Sequence, residues 1–334
     1  MVLSNIKGQP VGILGTGISI PKKVVTNADL EKMVDTNNEW IVDRTGIHTR
    51  YVVSGDESNA SISANATMDA LTNAKLRPDD LDMIMVGTNS PDTLFPGVGP
   101  LVQGLIGAHK AGGMDVQAGC PGGLYAMAAA AGGIASKIWE HVAVIGAEAM
   151  SRIVDWSDRN TCVLFGDGAG ACVMGPWQPG MLRVSHIDLK ADGTKGDYVC
   201  LPAGLAAEPA TADTVRGHRH FLKMQGNDVF KFVNREIPGY LENFCASCGI
   251  TTGDVDWWIF HQANIRILEG VFRRMGVPME RAVINLDRYG NTSAASIMIG
   301  LHEARADGRI RTGQRIVMTS FGAGMTYGAA LLES

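Results

Sequence analysis

The 334-residue chain is short of several things that whole classes of protein need. Basic charge is not in excess: 29 Lys and Arg against 34 Asp and Glu leave a net charge of −5. Such a chain offers no general field to nucleic acid or an anionic membrane, so neither is expected as a partner, and an acidic partner has to use a local patch. Apolar runs stay below the ~18 residues of a membrane-spanning helix. The opening MVLSNIKGQPVGILGTG has no basic segment followed by a long apolar stretch and a small-residue cleavage site, so a cytoplasmic protein without membrane insertion is expected. Cysteine is sparse and scattered: six residues at 120, 162, 172, 200, 245 and 248 make no disulfide framework, and reduced thiols are the expectation. Cys245 and Cys248 form a CxxC, but no second pair or neighbouring histidine completes a tetrahedral set, so no metal is expected there. Low-complexity linkers and charge blocks are also missing.

What is present is an alternation of strand-like and helix-like segments. VGILGTGISI (11–20) and LDMIMVGTN (81–89) read as strands, while TNADLEKMVD (26–35), opened by Thr26 and Asn27, and SISANATMDALTNAKL (61–76) read as helices. Continuous apolar strands between helices suggest a sheet covered on both faces, hence an α/β fold. Two glycine motifs fall short of phosphate-binding signatures. GTGISI lacks the third glycine of a dinucleotide fingerprint and meets Pro21 where the helix should start; FGDGAGA (165–171) lacks a following Lys-Ser/Thr. Both read as close-packed turns.

The chain also repeats itself. DDLDMIMVGTNS (79–90) has a counterpart in GDVDWWIFHQAN (253–264), and aligning Asp82 with Asp256 gives an offset of 174. Aligning VAVIGAEA (142–149) with RIVMTSFG (315–322) through Ala143 and Val317 gives 174 again. Two halves of similar architecture follow, 1–178 and 179–334. In that register the strand and helix flanking Cys120 correspond to those flanking Asn291, 171 residues on, while His261 closes a second-half strand where Thr88 stands in the first. A cysteine, a histidine and an asparagine at three strand ends are the parts of a nucleophilic site.

The local settings support that chemistry. Cys120 stands at a helix start, where free N–H groups favour a thiolate; Pro121 suits the first helical position, and Gly119, Gly122 and Gly123 clear space for a substrate carbonyl. Each residue has a plainer reading as well: a core cysteine, a hydrogen-bonded histidine, an asparagine capping the helix near Thr292. FGAG (321–324), after a strand, offers backbone N–H groups that could hold an oxyanion or simply make a turn.

Taken in order, TNADLEKMVDTNNEWIVDRTGI (26–47), the GCPGG turn, RNTCVLFGDGAGA (159–171), MQGNDVFKF (224–232), HQANIRIL (261–268), GNTSAASI (290–297) and FGAGMTYGAAL (321–331) resemble the β-ketoacyl-acyl-carrier-protein synthase III enzymes of the thiolase superfamily. The resemblance implies a five-layered αβαβα fold of duplicated halves, a homodimer, and a two-step acyltransferase: Cys120 takes an acyl group from acyl-CoA, then His261 and Asn291 assist decarboxylation of malonyl-acyl carrier protein, the N–H groups of Cys120 and Ala323 forming the oxyanion hole. It implies no cofactor, coenzyme A thioesters entering as substrate. It assigns CoA and substrate binding to Thr36, Trp40, Arg44, Arg159, Gly226, Asn227, Phe230, Ala263 and Asn264. The acyl pocket would be Phe95, reaching across the dimer, with Met150, Phe165 and Leu222; carrier-protein docking falls to Lys231, Arg266 and Arg273.

The sequence departs from the family at Pro121, Gly122, Phe260 and Ser320, and through a long 203–221 segment, all expected to surround the acyl pocket and tunnel mouth. The resemblance implies a priming enzyme of fatty-acid or polyketide synthesis, and the alternative is a related acyltransferase or ketosynthase of secondary metabolism that uses a non-acetyl primer or another acceptor; a degradative thiolase would need a second cysteine near FGAGMTYG, and a dead partner subunit would not keep Cys120.

Overall fold

The computed structural model describes residues 5–334. Nine strands form one hydrogen-bonded sheet: β1 Val11–Ser19, β2 Met83–Gly87, β3 Gly112–Val116, β4 Val142–Glu148, β5 Gly168–Pro176, β6 Leu182–Ala191, β7 Trp257–Phe260, β8 Arg315–Gly322 and β9 Thr326–Glu333. Their spatial order is β7-β8-β9-β6-β1-β5-β4-β2-β3. Read outward from the β1–β6 seam, it is the same pattern twice: an antiparallel pair, a second antiparallel pair, then a parallel pair.

The register carries the repeat to the residue. Met83 pairs with Val142 in the first half and Trp257 with Ile316 in the second, each shifted by 174. A third parallel strand is present only in the first half, as β3; its second-half counterpart is a single bridge, Trp258 to Ala282. At the same offset Gly87 is the first-half equivalent of His261, one residue before the Thr88 expected from sequence.

Alternation along each strand divides the core into layers. In β4, Val142 and Val144 face an inner core with Met318 of β8, while Ala143, Ile145 and Ala147 face an outer core. The first outer layer is α2 (Asn59–Ala74) with α3 (Val98–Ile106), and the second is α5 (Gly226–Ser247) with α6 (Ile265–Met275). Between the two halves of the sheet lie α4 (Gly122–Ala135) and α7 (Ser296–Ala306), whose Leu124, Met127, Ile297 and Leu301 fill the inner core. The result is the expected five-layered α/β arrangement. A further helix, α1 (Asn38–Thr45), lies outside it, and no helix among the described residues is long and apolar enough to cross a membrane.

Three local expectations are corrected. The helix expected over 26–35 lasts one turn, Asn27–Leu30; Leu30 is buried and Val34 packs against the same core, while Met33 is exposed. GTG at 15–17 is strand interior, not a turn: Cβ atoms on Gly15 and Gly17 would come within 2.3 and 2.2 Å of α2 carbonyls, so the glycines let helix and strand touch. FGDGAGA likewise runs into β5, where Gly170 abuts α7 at Met298 and Ile299. Cys245 and Cys248 end α5 as buried thiols raised above their ordinary range by burial.

Candidate active site

The inward ends of α4 and α7 meet across glycine. Gly87 lies against Gly122 and Gly123, and Gly123 and Gly146 lie against the Ala294 carbonyl, so close that a Cβ at Gly87 or Gly146 would overlap backbone at 2.2 or 2.1 Å. This contact brings segments far apart in sequence around one cavity of about 450 Å³, whose wall includes Cys120, His261, Asn291, Ser293, Phe321 and Ala323.

Cys120 follows Gly119, whose φ of +63° turns the chain into α4; Pro121, with φ −70°, precedes the first helical residue, Gly122. The cysteine keeps some surface toward the cavity, but protein crowds its sulfur and burial pushes the thiol up to about 12. The Ser293 hydroxyl and the N–H groups of Cys120 and Ala323 oppose that shift, and the nearby Glu148 carboxylate adds to it. The sequence expectation of a thiolate favoured by its helix start is therefore corrected: desolvation outweighs the helix end.

His261 continues β7, its N–H donating to the Thr319 carbonyl at 2.9 Å. The ring packs edge-on to Phe321, and Nδ1 lies 3.2 Å from Ser296 Oγ, leaving Nε2 for the cavity. Burial lowers the imidazole to about 3, opposed by a hydrogen bond with the Ser293 backbone, so it is neutral at neutral pH. Asn291 does not end a strand as expected. A one-turn helix, Leu286–Tyr289, precedes it, and its backbone is clamped to Leu164 and Gly166. Its Oδ1 accepts the Ser293 N–H at 2.9 Å, as a cap would, and its NH₂ remains for the cavity.

Two residues at the centre went unnoticed in the sequence. Ser293, held at φ +47°, puts Oγ 3.3 Å from Cys120 Sγ and 2.9 Å from Glu148 Oε1. Glu148, fully buried at the end of β4, also accepts from Asn89 Nδ2 and Ser90 Oγ. An acid closing the apolar VAVIGAEA strand was the available signal.

Of the other expected residues, Met150, Phe165, Leu222 and Ala263 line the cavity. Thr36, Trp40, Arg44 and Arg159 gather around α1: the Arg159 guanidinium sits 4.6 Å from the Trp40 ring centroid and Arg44 5.9 Å. Gly226, Asn227 and Phe230 lie exposed on the first turn of α5, whose Val229 reaches the cavity, and Asn264 caps α6. Phe95 lies outside the cavity, 82% exposed in the loop before α3. Lys231 pairs with Asp228, Arg266 binds Asp43 at 2.7 Å, and Arg273 is exposed.

The departures separate in space. Phe260 fills the outer core against Trp258 and Phe272 instead of the pocket, and Ser320 is buried in β8. The 203–221 segment is an excursion between Val199–Cys200 and Lys223–Met224, paired as a short ribbon; Leu201 and Leu222 at its base line the cavity, and His218 ties it to Asp155 at 2.8 Å.

The family description 3-oxoacyl-[acyl-carrier-protein] synthase III matches residues 114–193, and its C-terminal counterpart residues 245–334. A β-ketoacyl-[acyl-carrier-protein] synthase III of Desulfitobacterium hafniense is 45% identical over 323 residues, 97% of either chain. The chain belongs to the β-ketoacyl-acyl-carrier-protein synthase III family. Among solved relatives, the synthase III of Aquifex aeolicus superposes with a TM-score of 0.88 at 38% identity, covering 97% of this chain and all of its own. A priming β-ketosynthase of the R1128 polyketide pathway gives 0.89 at 31%, covering 98% and 97%. Membership makes this synthase III an acyltransferase of the condensing class with a thiolase-like fold.

Proposed function

We propose that the chain starts fatty-acid synthesis by joining an acyl-CoA primer to malonyl-acyl carrier protein, working as a homodimer in the cytoplasm with no cofactor. The observation that carries this reading is the convergence of Cys120, His261 and Asn291 on one largely apolar cavity. Cys120 attacks the acyl-CoA carbonyl, and the N–H groups of Cys120 and Ala323, which both act on the sulfur, suit the oxyanion of the tetrahedral intermediate. The coenzyme leaves and the acyl group stays on Cys120. Malonyl-acyl carrier protein then loses CO₂, which makes the carbanion without a strong base, and the His261 and Asn291 N–H groups hold the enolate oxygen. Attack on the acyl-enzyme gives the β-ketoacyl product and frees the thiol.

Trp40 and Arg159 present a flat face and a guanidinium suited to an adenine nucleotide, with Arg44 and Thr36 beside them. The exposed Phe95 would close the acyl pocket of a second copy, and Lys231, Arg266 and Arg273 would receive the acidic carrier. The halves 1–178 and 179–334 supply nucleophile and donors respectively.

The test is to incubate the protein with a panel of acyl-CoAs, follow the mass of the Cys120 peptide, then add malonyl-acyl carrier protein and follow CO₂. Labelling at Cys120 followed by CO₂ release is expected. Labelling without CO₂ release would refute the condensing role, and no adduct from any acyl-CoA or acyl-carrier donor would refute the nucleophile.

A further inference from the structure

The deeply buried carboxylate beside the nucleophile has no part in the mechanism above. Glu148 belongs to the first half, sits buried on β4, and collects contacts from two separate segments, 88–90 and 293–294. Oε1 faces Asn89 Nδ2 at 2.7 Å, Ser293 Oγ at 2.9 Å and the Ala294 N–H at 3.4 Å. Oε2 faces Ser90 Oγ at 2.5 Å, the Asn89 N–H at 3.1 Å and Thr88 Oγ1 at 3.4 Å.

Proton accounting at these partners fixes the form of the acid. Ser90 Oγ accepts the Ala149 N–H, so its own proton goes to Glu148. Thr88 Oγ1 accepts from Asn59 Nδ2 and from the Ser90 N–H, so its proton also goes to Glu148. The Asn89 and Ala294 groups are donors by nature. Every contact then points a proton at the carboxyl group, which is the environment of a carboxylate. Burial raises the proton affinity of Glu148, and none of these partners is a cation. A buried anion with many donors and no counter-charge is poised to take up a proton.

Ser293 links that anion to the reacting atom. Its hydroxyl has one proton and two neighbours that could receive it, Cys120 Sγ at 3.3 Å and Glu148 Oε1 at 2.9 Å. With the thiol protonated, the serine donates to the carboxylate and accepts from S–H. With the sulfur ionised, the serine donates to sulfur and accepts from a protonated Glu148. The two states differ by one concerted hop.

We propose that Ser293 and Glu148 form a proton relay that activates Cys120 for acyl transfer, Ser293 touching the sulfur as a catalytic residue and Glu148 acting through it. This rests on the reading of Cys120 as the acyl acceptor. As the sulfur bonds to the thioester carbonyl carbon, its proton passes to Ser293 Oγ and the serine proton to Glu148 Oε1. The tetrahedral intermediate breaks its bond to the coenzyme sulfur, which leaves as thiolate and takes a proton from solvent. Glu148 keeps its proton while the acyl group occupies Cys120. When condensation expels Cys120 as thiolate, that proton returns through Ser293. The cycle takes up one solvent proton and restores the carboxylate. The buried set never carries more than one negative charge, whereas loss of the thiol proton to water would set two charges side by side.

The test uses Glu148→Gln and Ser293→Ala in the full chain, with alkylation of Cys120 by iodoacetamide and single-turnover acylation by acyl-CoA, both read by peptide mass from pH 7 to 10. Cys120 is the titratable group facing Glu148; its other partners, Thr88, Asn89, Ser90, Ser293 and Ala294, are neutral. In the unaltered protein both rates should be nearly independent of pH, because the internal hop needs no hydroxide. In either variant both should fall about 100-fold at pH 7, the scale of a positioned general base, and recover about tenfold per pH unit. A rate loss without the new pH slope would assign Glu148 a packing role only and overturn the relay, as would unchanged rates. Ser293→Ala keeps the buried charge, so the relay stays testable if Glu148→Gln fails to fold. Alkylation needs no acyl donor: a failure of every acyl-CoA to label even the unaltered protein refutes the proposed function, while a flat alkylation profile in the variants refutes the relay.

Discussion

Acid should weaken this fold through His261 in a way a single substitution can isolate. The imidazole is buried and lowered to about 3, while in the unfolded chain it returns to about 6.5. Between those values the unfolded chain carries a proton that the native state excludes, so stability is fully present above pH 6.5 and drains away as pH falls toward 3. At 1.36 kcal/mol per unit the whole window is worth about 5 kcal/mol, and the part from pH 6.5 to 4 about 3 kcal/mol. Urea unfolding of the unaltered protein and of His261→Asn, each from pH 8 to pH 4, reads this as a difference. Asp29 and Asp155, both held at about 2 by their hydrogen-bond partners, titrate alike in the two proteins and cancel. The stability of the unaltered protein relative to His261→Asn should drop by about 3 kcal/mol across the range. Curves parallel to within 1 kcal/mol would mean that the ring reaches water or a counter-charge in the native state, and the reasoning would fail.

Three other outcomes are expected. His261→Ala and Asn291→Ala should still take an acyl label on Cys120 but lose CO₂ release by about 100-fold each, as for removal of an oxyanion donor; equal loss of both steps would contradict the division of roles. Gly146→Ala, whose Cβ would sit 2.1 Å from the Ala294 carbonyl, should cost about 1–3 kcal/mol in unfolding measurements and slow Cys120 labelling by shifting Ser293. Arg266→Glu should raise KM for malonyl-acyl carrier protein in a salt-dependent way while leaving the KM for acyl-CoA unchanged, read in steady-state assays.

The repeat was legible because each strand keeps its own apolar run, and register turns those runs into an architecture: Met83 with Val142 and Trp257 with Ile316 give the same 174 that the sequence alignment shows. The gathering of Cys120, His261 and Asn291 around one cavity was legible for the same reason, although Asn291 follows a one-turn helix and not a strand. The misreadings concern quantities that arise only in the packed molecule. Gly15 and Gly17 looked like a turn because glycine marks both turns and close helix contacts, and a single strand does not say which. The thiol looked activated because a helix start is local, whereas the desolvation that raises it comes from the whole cavity wall. Glu148 was visible only as an acid at a strand end, because Asn89, Ser90 and Ser293, which make it more than that, lie 59, 58 and 145 residues away.

The neutral state of His261 also constrains the second chemical step. An imidazolium beside the enolate would stabilise it strongly, but it would also be a good acid 3 Å or so from a carbanion, and protonation would end the reaction as a plain decarboxylation. A neutral imidazole holds the oxygen through an N–H that is far too weak an acid to give up its proton. Asn291 shares that property, so both donors proposed around the enolate are fixed dipoles. Such dipoles lower the cost of losing CO₂ without quenching the carbon nucleophile. On the proposed mechanism, burial of His261 gives two effects one cause: the desolvation expected to make the fold sensitive to acid would also keep the carbanion alive long enough to reach the acyl group on Cys120.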